Sequence, residues 1–585
     1  MILRAGEYHL GHLEPLLLGP DASGLELVAA SNEEAVITGG TELKPDWRPW
    51  RGPGASGSAN TFVAQIPAAM LPDGATISEL LVGGRRMVTA REPDADVYDY
   101  RTWQGGIQAA AHWGTMRWGD EASNRTATLV EKSGPAWRRN ISCGDVHFKG
   151  AFGGSLDAFA DGRGCGWAGH VPMIRQKGLT WNCPASQGWC RKPWRNASEA
   201  SVWCTGVWAN LGYEVSDQKS RHANNLTTVN LTFGRGGNQM AFGPLWPGQC
   251  NDFFVEGIIE ALSSPGEFYH DRTSGRLFIV TEPGAAPPKA VLAVTAETLL
   301  RFVGSQRRPV RDIRLEGLTF RGAAKTFLGP HVSTTNGADW AVPRSGAVVL
   351  EGVEGAKIER CVFDTLGGTA VLWSGYVRDA TVSNSTFSWL GGNGVLAIGD
   401  DDWGNATAGD YPLNNTIAGC LFREIGVFAK HSAAYAEFVA GAVTIKSSII
   451  FNVARAGIAL NDAMGGGNLL QQNLLFHCVR ESSDREPTFV SSSPRLATNE
   501  RFARRSDQLV GSTDVLNLGP SNWCSSDKGQ RGCRKPDRPE LHHGGHRREH
   551  LPDRPRRLLL VLSRPPQRVD VWRRKAVGRP QQEGG

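Results

Sequence analysis

The stretch "GNGVLAIGDDDWGN", residues 392–405, runs from an apolar segment into three consecutive carboxylates and an indole. Two carboxylates at a suitable separation hydrolyse glycosidic bonds, one as general acid and the other as base or nucleophile. An indole beside them offers an apolar face on which a sugar ring stacks. The stretch therefore predicts either one wall of a carbohydrate site or a charged turn that solvates the end of a strand.

A second stretch, "AGIALNDAMGGGN" at residues 456–468, aligns with the first and places Asp400 and Asp462 within one residue of equivalent positions. If both stretches are strands of stacked repeats, the carboxylates lie one or two strand spacings apart, about 5–10 Å. We predict Asp462 as general acid and Asp400 or Asp401 as base, and two spacings favour inversion at the anomeric carbon. Hydrolysis of this kind requires no cofactor, although Asp402 is a candidate ligand for Ca²⁺.

Other polar and aromatic residues on or near the intervening repeat are predicted to contact substrate. They are Trp403, His431, Tyr435, Glu437 and Arg455. The alternative for Arg455 is an ion pair with a turn carboxylate, and His477, which follows a phenylalanine of the predicted core, is interpreted as a turn residue.

The elements that position these residues repeat between positions 310 and 480, where short strand-like segments close on a phenylalanine. The closing residues are Phe320, Phe363, Phe387, Phe422, Phe451 and Phe476. Their spacings of 43, 24, 35, 29 and 25 residues indicate a period near 24 with insertions, which is typical of a solenoid. We therefore predict an all-β fold, a right-handed parallel β-helix, in which the six phenylalanines stack as an interior ladder.

Composition supports a strand-rich, exported protein. The 585 residues include 71 Gly, 19 Trp and 11 Cys. Six cysteines between Cys143 and Cys250 lack the paired spacing of zinc sites and favour disulfides. Eight N-x-[ST] sequons fit secretion; they begin at Asn124, Asn140, Asn196, Asn225, Asn230, Asn384, Asn405 and Asn414. The N-terminal residues contain no sustained apolar segment typical of a signal peptide, so we interpret the chain as truncated there.

Three regions are predicted from these patterns. Residues 1–300 form an N-terminal β-rich region with a Cys/Trp-rich insertion, and residues 301–486 form the β-helix repeats. Residues 487–585 are irregular and basic, with 11 Lys/Arg against 4 Asp/Glu after position 540, and are predicted to be disordered or translated from a shifted frame. Residues 541–585 therefore carry a local charge of +7, out of a net charge of +5 for the whole chain, so the remainder is near −2 and the main body has no nucleic-acid signature.

Three segments carry a family resemblance. "EEAVITGGTELKPDW", "ELLVGGRRMVTAREPDAD" and "GEFYHDRTSGRLFIVTEPG" followed by "VRDIRLEGLTF" resemble, in order and approximate spacing, motifs of a large group of carbohydrate-active right-handed parallel β-helix proteins. The resemblance covers roughly residues 7–486. It implies a β-helix of the pectin-lyase type with an N-terminal accessory region, secretion, and action on polysaccharide or binding to it. Some members of the group are glycoside hydrolases, and many have no assigned activity.

Three functions remain open at this point. The first is a secreted or cell-surface glycoside hydrolase that uses the paired aspartates. The second is a polysaccharide lyase, in which Ca²⁺ neutralises a uronate and Arg455 or Lys446 acts as base. The third is a non-catalytic glycan-binding or matrix protein. All three predict a polysaccharide or glycan partner, no transmembrane segment and a monomer.

Overall fold

The computed structural model describes residues 1–11, 15–52, 60–72, 75–96, 98, 193–205, 210–223, 226–237, 252–333, 341–399, 408–461 and 466–481. It also describes the backbone of the strands at 116–117, 129–133, 173–176, 178–184, 488–491, 501–502 and 516–517. All of these residues belong to one compact unit, Met1–Ser521. The second unit, Asn522–Gly585, which contains most of the predicted basic tail, lies outside the described residues.

The main body is a right-handed parallel β-helix, as predicted. Three long parallel sheets run along it, and each turn of the chain contributes one strand to each sheet. We name them sheets I, II and III in the order in which the chain visits them. Parallel strands of one sheet stack about 4.8 Å apart, so equivalent positions in successive turns form straight columns.

Sheet I contains the strands Ile2–Leu3, Glu26–Ala29, Arg314–Glu316, Lys357–Glu359, Thr381–Ser383, Thr416–Ala418, Thr444–Lys446, Leu469–Gln471, Arg501–Phe502 and, antiparallel at its end, Leu516–Asn517. Sheet II contains Gly6–His9, Ala35–Thr38, Leu318–Arg321, Val362–Asp364, Thr386–Leu390, Leu421–Ile425, Ile449–Val453 and Leu474–Phe476. Sheet III contains Leu16–Leu18, Leu300–Val303, Val348–Glu354, Val371–Arg378, Val395–Ile398, Tyr435–Phe438, Ile458–Asn461 and Thr488–Ser491, with Val310–Arg311 paired to Val348–Glu354.

The solenoid begins earlier than the predicted boundary at residue 301. Strands between residues 2 and 38 pair in parallel with the strands that follow residue 300; for example, Ala35–Thr38 pairs with Leu318–Arg321. The N-terminal β-rich region is therefore an insertion within the second turn of the solenoid, between Thr38 and Leu300. At the other end, Thr488–Ser491 pairs with Ile458–Asn461 and extends sheet III past residue 486.

Sharp corners join sheet I to sheet II because one residue in each turn adopts a left-handed backbone conformation. Arg360, Asn384, Gly419, Ser447 and Gln472 have φ between 50° and 65°. The next residue is a cysteine, a serine or an asparagine, and it links neighbouring turns; the Ser448 hydroxyl, for example, accepts a hydrogen bond from the Cys420 backbone N–H at 3.2 Å. Each corner bends the chain from one sheet into the next without a long loop.

The interior ladder of phenylalanines is shorter than predicted. Phe320, Phe363, Phe387 and Phe422 stack with centroid separations of 4.9, 4.8 and 4.4 Å and are fully buried. In the next turn Phe422 pairs with Ile450 and not with Phe451. Since a shift of one residue in a strand turns the side chain to the opposite face, Phe451 and Phe476 lie outside the core, where they stack on each other at 4.8 Å.

The N-terminal insertion forms smaller, mainly antiparallel sheets. A four-stranded sheet contains Gly40–Leu43, Val291–Val294, Glu79–Val82 and Arg85–Arg86. A five-stranded sheet contains Val88–Thr89, Glu267–Asp271, Arg276–Val280, Thr61–Gln65 and Arg48–Pro49. A seven-stranded sheet contains Arg91–Glu92, Asp252–Glu256, Ser201–Thr205, Asn210–Ala223, Leu226–Gly236, Gly178–Pro184 and Met116–Arg117. The strand pair Leu129–Ser133 and Met173–Gln176 is separate.

The remaining elements are short. A hairpin of Val332–Ser333 and Ala341–Val342 lies beside sheet III. Single turns of 3₁₀ helix span Pro20–Ala22, Ala68–Met70, Ala197–Glu199 and Ile259–Ala261. In the part of the chain that the structure describes, no helix is long and apolar enough to cross a membrane.

The cysteines predicted to form disulfides, from Cys143 to Cys250, lie outside the residues whose side chains are described. Three later cysteines are described and are free thiols: Cys361 and Cys420 are buried at corners of the solenoid, and Cys478 is half-buried. Burial raises the pKa of the Cys361 thiol to about 12 and that of Cys420 to about 11. These two thiols are therefore protonated core residues.

Candidate functional site

Two strands of sheet III lead into the predicted catalytic carboxylates. Val395–Ile398 precedes Asp400, and Ile458–Asn461 precedes Asp462. Tyr435–Phe438 pairs with both strands and lies between them. The two strands therefore end on the same side of sheet III, two strand spacings apart, about 9.6 Å. We use the word edge for a side of the sheet at which its strands begin or end.

The acidic residues themselves, Asp400, Asp401, Asp402 and Asp462, lie outside the described residues, as does Trp403. Their predicted roles as general acid, base, Ca²⁺ ligand and sugar-stacking residue remain predictions. Among the residues that are described, no cluster of three or more His, Cys, Asp or Glu side chains is arranged to hold a metal ion.

An arginine that sequence reasoning missed lies at this edge of sheet III. The half-buried Arg344 donates from Nε to the Ser374 hydroxyl at 3.0 Å and from Nη2 to the Ile398 carbonyl at 3.5 Å. Ile398 is two residues before Asp400. The sequence signal was weak, since "WAVPRSG" contains a single arginine in a loop before a strand.

Tyr435 and Glu437, predicted to contact substrate, lie inside the solenoid instead. They are two residues apart on one strand and so point to the same side, toward the core residues Trp373 and Leu460. Both are almost completely buried, and the Tyr435 hydroxyl donates to Glu437 Oε2 at 2.8 Å. Asn468 Nδ2 donates to Glu437 Oε1 at 2.6 Å. This pair is a hydrogen-bonded part of the core.

His431 and Arg455, the other two predicted substrate contacts, lie at the opposite edge of sheet III. His431 precedes the strand Tyr435–Phe438, and Arg455 precedes Ile458–Asn461, whereas the aspartates follow their strands. Both side chains are buried. Burial, with a smaller contribution from the positive charge of Arg455, holds the pKa of His431 well below its usual value. The structure thus places these residues at least one strand length, roughly 10 Å, from the edge that leads to the aspartates.

A pocket opens at this second edge, where sheet II turns into sheet III. Its empty space, including the open mouth, is about 390 Å³. The lining residues are Thr326, Phe327, His331, Ala341, Val342, Pro343, Gly367, Gly368, Thr369, Gly391, Gly392, Asn393, Ala429, His431 and Ser432. Of these, sequence reasoning identified His431 alone, because the remainder belong to loops and Gly-rich turns without a motif.

Glycine pairs let successive turns approach one another and form a flat wall of this pocket. A Cβ atom on Gly391 would overlap the carbonyl oxygen of Gly367 in the preceding turn. Asn393 then ties the turns together, because its backbone N–H donates to the Thr369 hydroxyl at 3.3 Å and its Oδ1 accepts from the Ala433 backbone at 2.8 Å. The pocket wall is therefore fixed by backbone packing and a small hydrogen-bond ladder.

The N-terminal insertion holds the turns behind the pocket in place. Arg86 pairs with Glu79 and also donates to the carbonyl oxygens of Leu366 and Trp389 at 3.1 and 3.2 Å. The Asn210 side chain donates to the Phe428 carbonyl at 2.6 Å and accepts from the Lys430 backbone at 2.8 Å. Two residues of the insertion thus hold the ends of sheet II strands and the loops that follow them.

Lys446, one of the two bases considered for a lyase reaction, is exposed on the outer side of sheet I. It is therefore on a different sheet from the strands that lead to the aspartates. Arg455, the other, is buried at the far edge of sheet III.

Comparison with solved structures shows the same fold in a carbohydrate-related protein. A structure called "Glycoside hydrolase" aligns with a TM-score of 0.58 at 16% identity, over 85% of this chain and 79% of that one. XylC in complex with xylose aligns with a TM-score of 0.35 at 10% identity, over 84% of this chain and 58% of that one. No protein-family model matches the chain, and no curated protein matches it.

Proposed function

We propose that the protein is a secreted or cell-surface glycoside hydrolase that acts on a polysaccharide through Asp462 and one of Asp400 or Asp401. The observation that carries the proposal is the placement of Val395–Ile398 and Ile458–Asn461 in one sheet with a single strand between them. Two spacings, about 9.6 Å, match the upper end of the range that admits a water molecule between two carboxyl groups.

The reaction follows from that separation. Protonated Asp462 donates its proton to the glycosidic oxygen as the bond between that oxygen and the anomeric carbon breaks. A water molecule attacks the anomeric carbon from the opposite side and gives a proton to the carboxylate of Asp400 or Asp401. The product sugar has the inverted configuration. Neighbouring carboxylates raise one another's pKa, which favours the protonated acid at the start of the cycle.

Residues around the strand ends support this chemistry. The Arg344 guanidinium at the same edge supplies a positive charge that would balance the three consecutive aspartates. Trp403 is the sugar-stacking residue of the proposal. The reaction needs no cofactor; Ca²⁺ bound through Asp402 would be structural. The likeness to a glycoside hydrolase is a likeness of fold, so the residues carry the argument.

The proposal is tested with the full chain secreted from a eukaryotic host and offered neutral, fucosylated, xylan and uronate polysaccharides. Reducing ends and ultraviolet absorbance are followed together. Hydrolysis releases reducing ends without new absorbance, and a lyase releases both because its product is unsaturated. A folded protein that binds a polysaccharide without forming product would be a glycan-binding protein, and the hydrolase proposal would be wrong.

Chelation with EDTA tests whether the activity requires a bound metal ion. Activity that survives EDTA is expected, because both proposed catalytic groups are carboxyls. A loss of activity that returns with Ca²⁺ alone would show that the protein requires a bound Ca²⁺ ion.

A further inference from the structure

One sequon lies at a sharp corner of the solenoid and presents its asparagine to solvent. Asn384, which is followed by Ser385 and Thr386, is exposed at the corner between sheets I and II. Its φ of 50° is in the left-handed region, which asparagine tolerates better than most residues. N-linked glycosylation joins a sugar to the amide nitrogen of such an asparagine, typically in a surface turn or loop.

The surroundings of the Asn384 amide leave room for a sugar on Nδ2. A Cβ atom on Gly419, at the same corner in the next turn, would be 2.7 Å from Asn384 Oδ1, so the amide oxygen lies over that glycine. No residue that the structure describes forms a hydrogen bond with Nδ2. Because the side chain is exposed and its oxygen packs against Gly419, the nitrogen faces solvent.

The half-buried sequon at Asn196 has the opposite environment. Its Nδ2 donates to the Tyr269 hydroxyl and to Asp271 Oδ1, each at 3.1 Å, so both amide hydrogens are used. Glycosylation replaces one of these hydrogens with a sugar. A glycan on Asn196 would break a buried hydrogen bond and destabilise the fold, so folded molecules should carry Asn196 unmodified.

The two other sequons whose asparagines are described are intermediate. The Asn414 amide is exposed but donates one hydrogen to Asp379 Oδ1 in the preceding turn. Asn230 is exposed within a long strand that pairs on both sides, and not in a turn. Of the four described sequons, Asn384 is therefore the one at which a glycan disturbs the fold least.

An exposed apolar column begins beside this corner, on the outer face of sheet II. Leu421, Ile449 and Leu474 occupy the position of Thr386 in the next three turns, and we call them the apolar column. Ile449 is 43% exposed. Thr319, at the same position two turns before Thr386, is buried. The exposed part of this surface therefore starts at the turn that carries the sequon.

Asn384 is close enough to the apolar column for an attached oligosaccharide to cover it. Gly419 and Ser447 are its equivalents in the next two turns, so about 9.6 Å, two strand spacings, separates Asn384 from Ser447. Ile449 follows Ser447 by two residues. Exposed apolar surface favours association between molecules, and a hydrated glycan over it would oppose that association.

We propose that Asn384 carries an N-linked oligosaccharide and that its first sugar residues shield the apolar column. The donor is a lipid-linked oligosaccharyl pyrophosphate. The bond from the anomeric carbon to the pyrophosphate oxygen breaks, and the lipid pyrophosphate leaves with the electron pair. The anomeric carbon bonds to Nδ2, which loses one proton. The inference rests on the secretion in the proposed function and not on hydrolysis, since sheet I lies between this corner and the edge that leads to the aspartates.

The test uses the full chain recovered from the medium of a eukaryotic host. Cleavage with trypsin and chymotrypsin isolates Asn384 in residues 379–387, and mass spectrometry of the peptides gives the occupancy of each sequon. Thr386→Ser keeps the sequon and Thr386→Ala removes it, so the two variants differ by one oxygen atom and by the glycan. Retention on a hydrophobic-interaction column compares their exposed apolar surface, with melting temperature as the control for folding.

Asn384 glycosylated in most wild-type molecules, with Asn196 bare, is the expected result. Thr386→Ala should be retained longer on the column than Thr386→Ser, and Ile449→Thr added to the Thr386→Ala chain should reverse the increase. A bare Asn384 in the folded wild-type chain would overturn the inference, as would an Asn196 occupied as fully as Asn384. Equal retention of the two Thr386 variants would overturn the shielding.

These outcomes are distinct from failure of the proposed hydrolase. A chain glycosylated at Asn384 that releases no product from any polysaccharide would reject the hydrolase and keep the glycan site. An active hydrolase with Asn384 bare would do the reverse.

Discussion

The hydroxyl of Tyr435 donates a 2.8 Å hydrogen bond to the carboxylate of Glu437 inside the solenoid, two residues along the same strand. Burial and the adjacent carboxylate raise the pKa of Tyr435 well above its usual value, so the phenol remains the donor. Both residues belong to the core, because both are buried and neither faces a surface on which a polysaccharide could lie.

Replacing Tyr435 by phenylalanine therefore tests stability and not substrate binding. Tyr435→Phe leaves Glu437 Oε2 without this donor, which should lower the free energy of unfolding by about 1–3 kcal/mol. KM for the polysaccharide should be unchanged. Urea denaturation and steady-state kinetics measure the two effects, and a raised KM at unchanged stability would return Tyr435 to the substrate site.

The phenylalanine ladder gives a prediction with an internal control. Phe387→Ala removes a ring stacked between Phe363 and Phe422 and should cost about 3–5 kcal/mol. Phe451→Ala removes a partly exposed ring outside the core and should cost less than half as much. Equal losses in chemical denaturation would contradict the register described for the Ile449–Val453 strand.

The same two residues show how far the sequence predicts the fold. The four phenylalanines from Phe320 to Phe422 were found by their spacing, because stacked turns repeat one side chain at one position. The same spacing places Phe451 one residue out of register, since "KSSIIF" looks like "IAGCLF" when aligned on its phenylalanine. Aligning the corner residues Gly419 and Ser447, which share a left-handed conformation, would have given Ile450 as the core residue.

The site was less predictable than the fold. Alternation along a strand shows that Tyr435 and Glu437 share one face but not which face is interior. The choice depends on pairing with Trp373 and Ala397 in neighbouring turns. Arg344 and the pocket around Ser432 arise from loops brought together by sequence-distant contacts, and no local pattern in the sequence marks them.

The pocket wall requires glycine at position 391. Gly391→Ala should destabilise the protein by about 1–3 kcal/mol, because the new Cβ would overlap the Gly367 carbonyl oxygen of the preceding turn. Gly19→Ala is the matched control, since nothing lies within 4 Å of a Cβ there. Thermal unfolding of the two variants measures the difference. A Gly391→Ala protein as stable as the control would contradict the close approach of these turns.

We expect His331 to make the protein less stable in mild acid. Its pKa is about 4 in the folded chain and near 6.5 when unfolded, so the unfolded state binds a proton first as the pH falls from 6.5 to 4. Stability that is fully present above pH 6.5 is therefore lost toward pH 4. Relative to His331→Gln, the wild-type chain should lose about 1–2 kcal/mol between pH 7 and pH 5.

Urea unfolding of both proteins at pH 7, 6 and 5 measures this difference. Groups that titrate in both proteins cancel in this comparison. One of them is Glu267, whose pKa burial raises to about 8, so that its contribution to stability grows as the pH falls. Parallel pH profiles for the two proteins would show that His331 is not held neutral by its surroundings.

Catalysis by aspartates at the two strand ends is tested most directly by substituting Asp462. Release of reducing ends from a neutral polysaccharide is compared for the wild-type chain, Asp462→Asn and Asp46→Asn, an exposed carboxylate of the N-terminal insertion. Loss of at least 10²-fold in the rate for Asp462→Asn alone, with an unchanged melting temperature, is the predicted result. Full activity of Asp462→Asn would contradict the proposed mechanism.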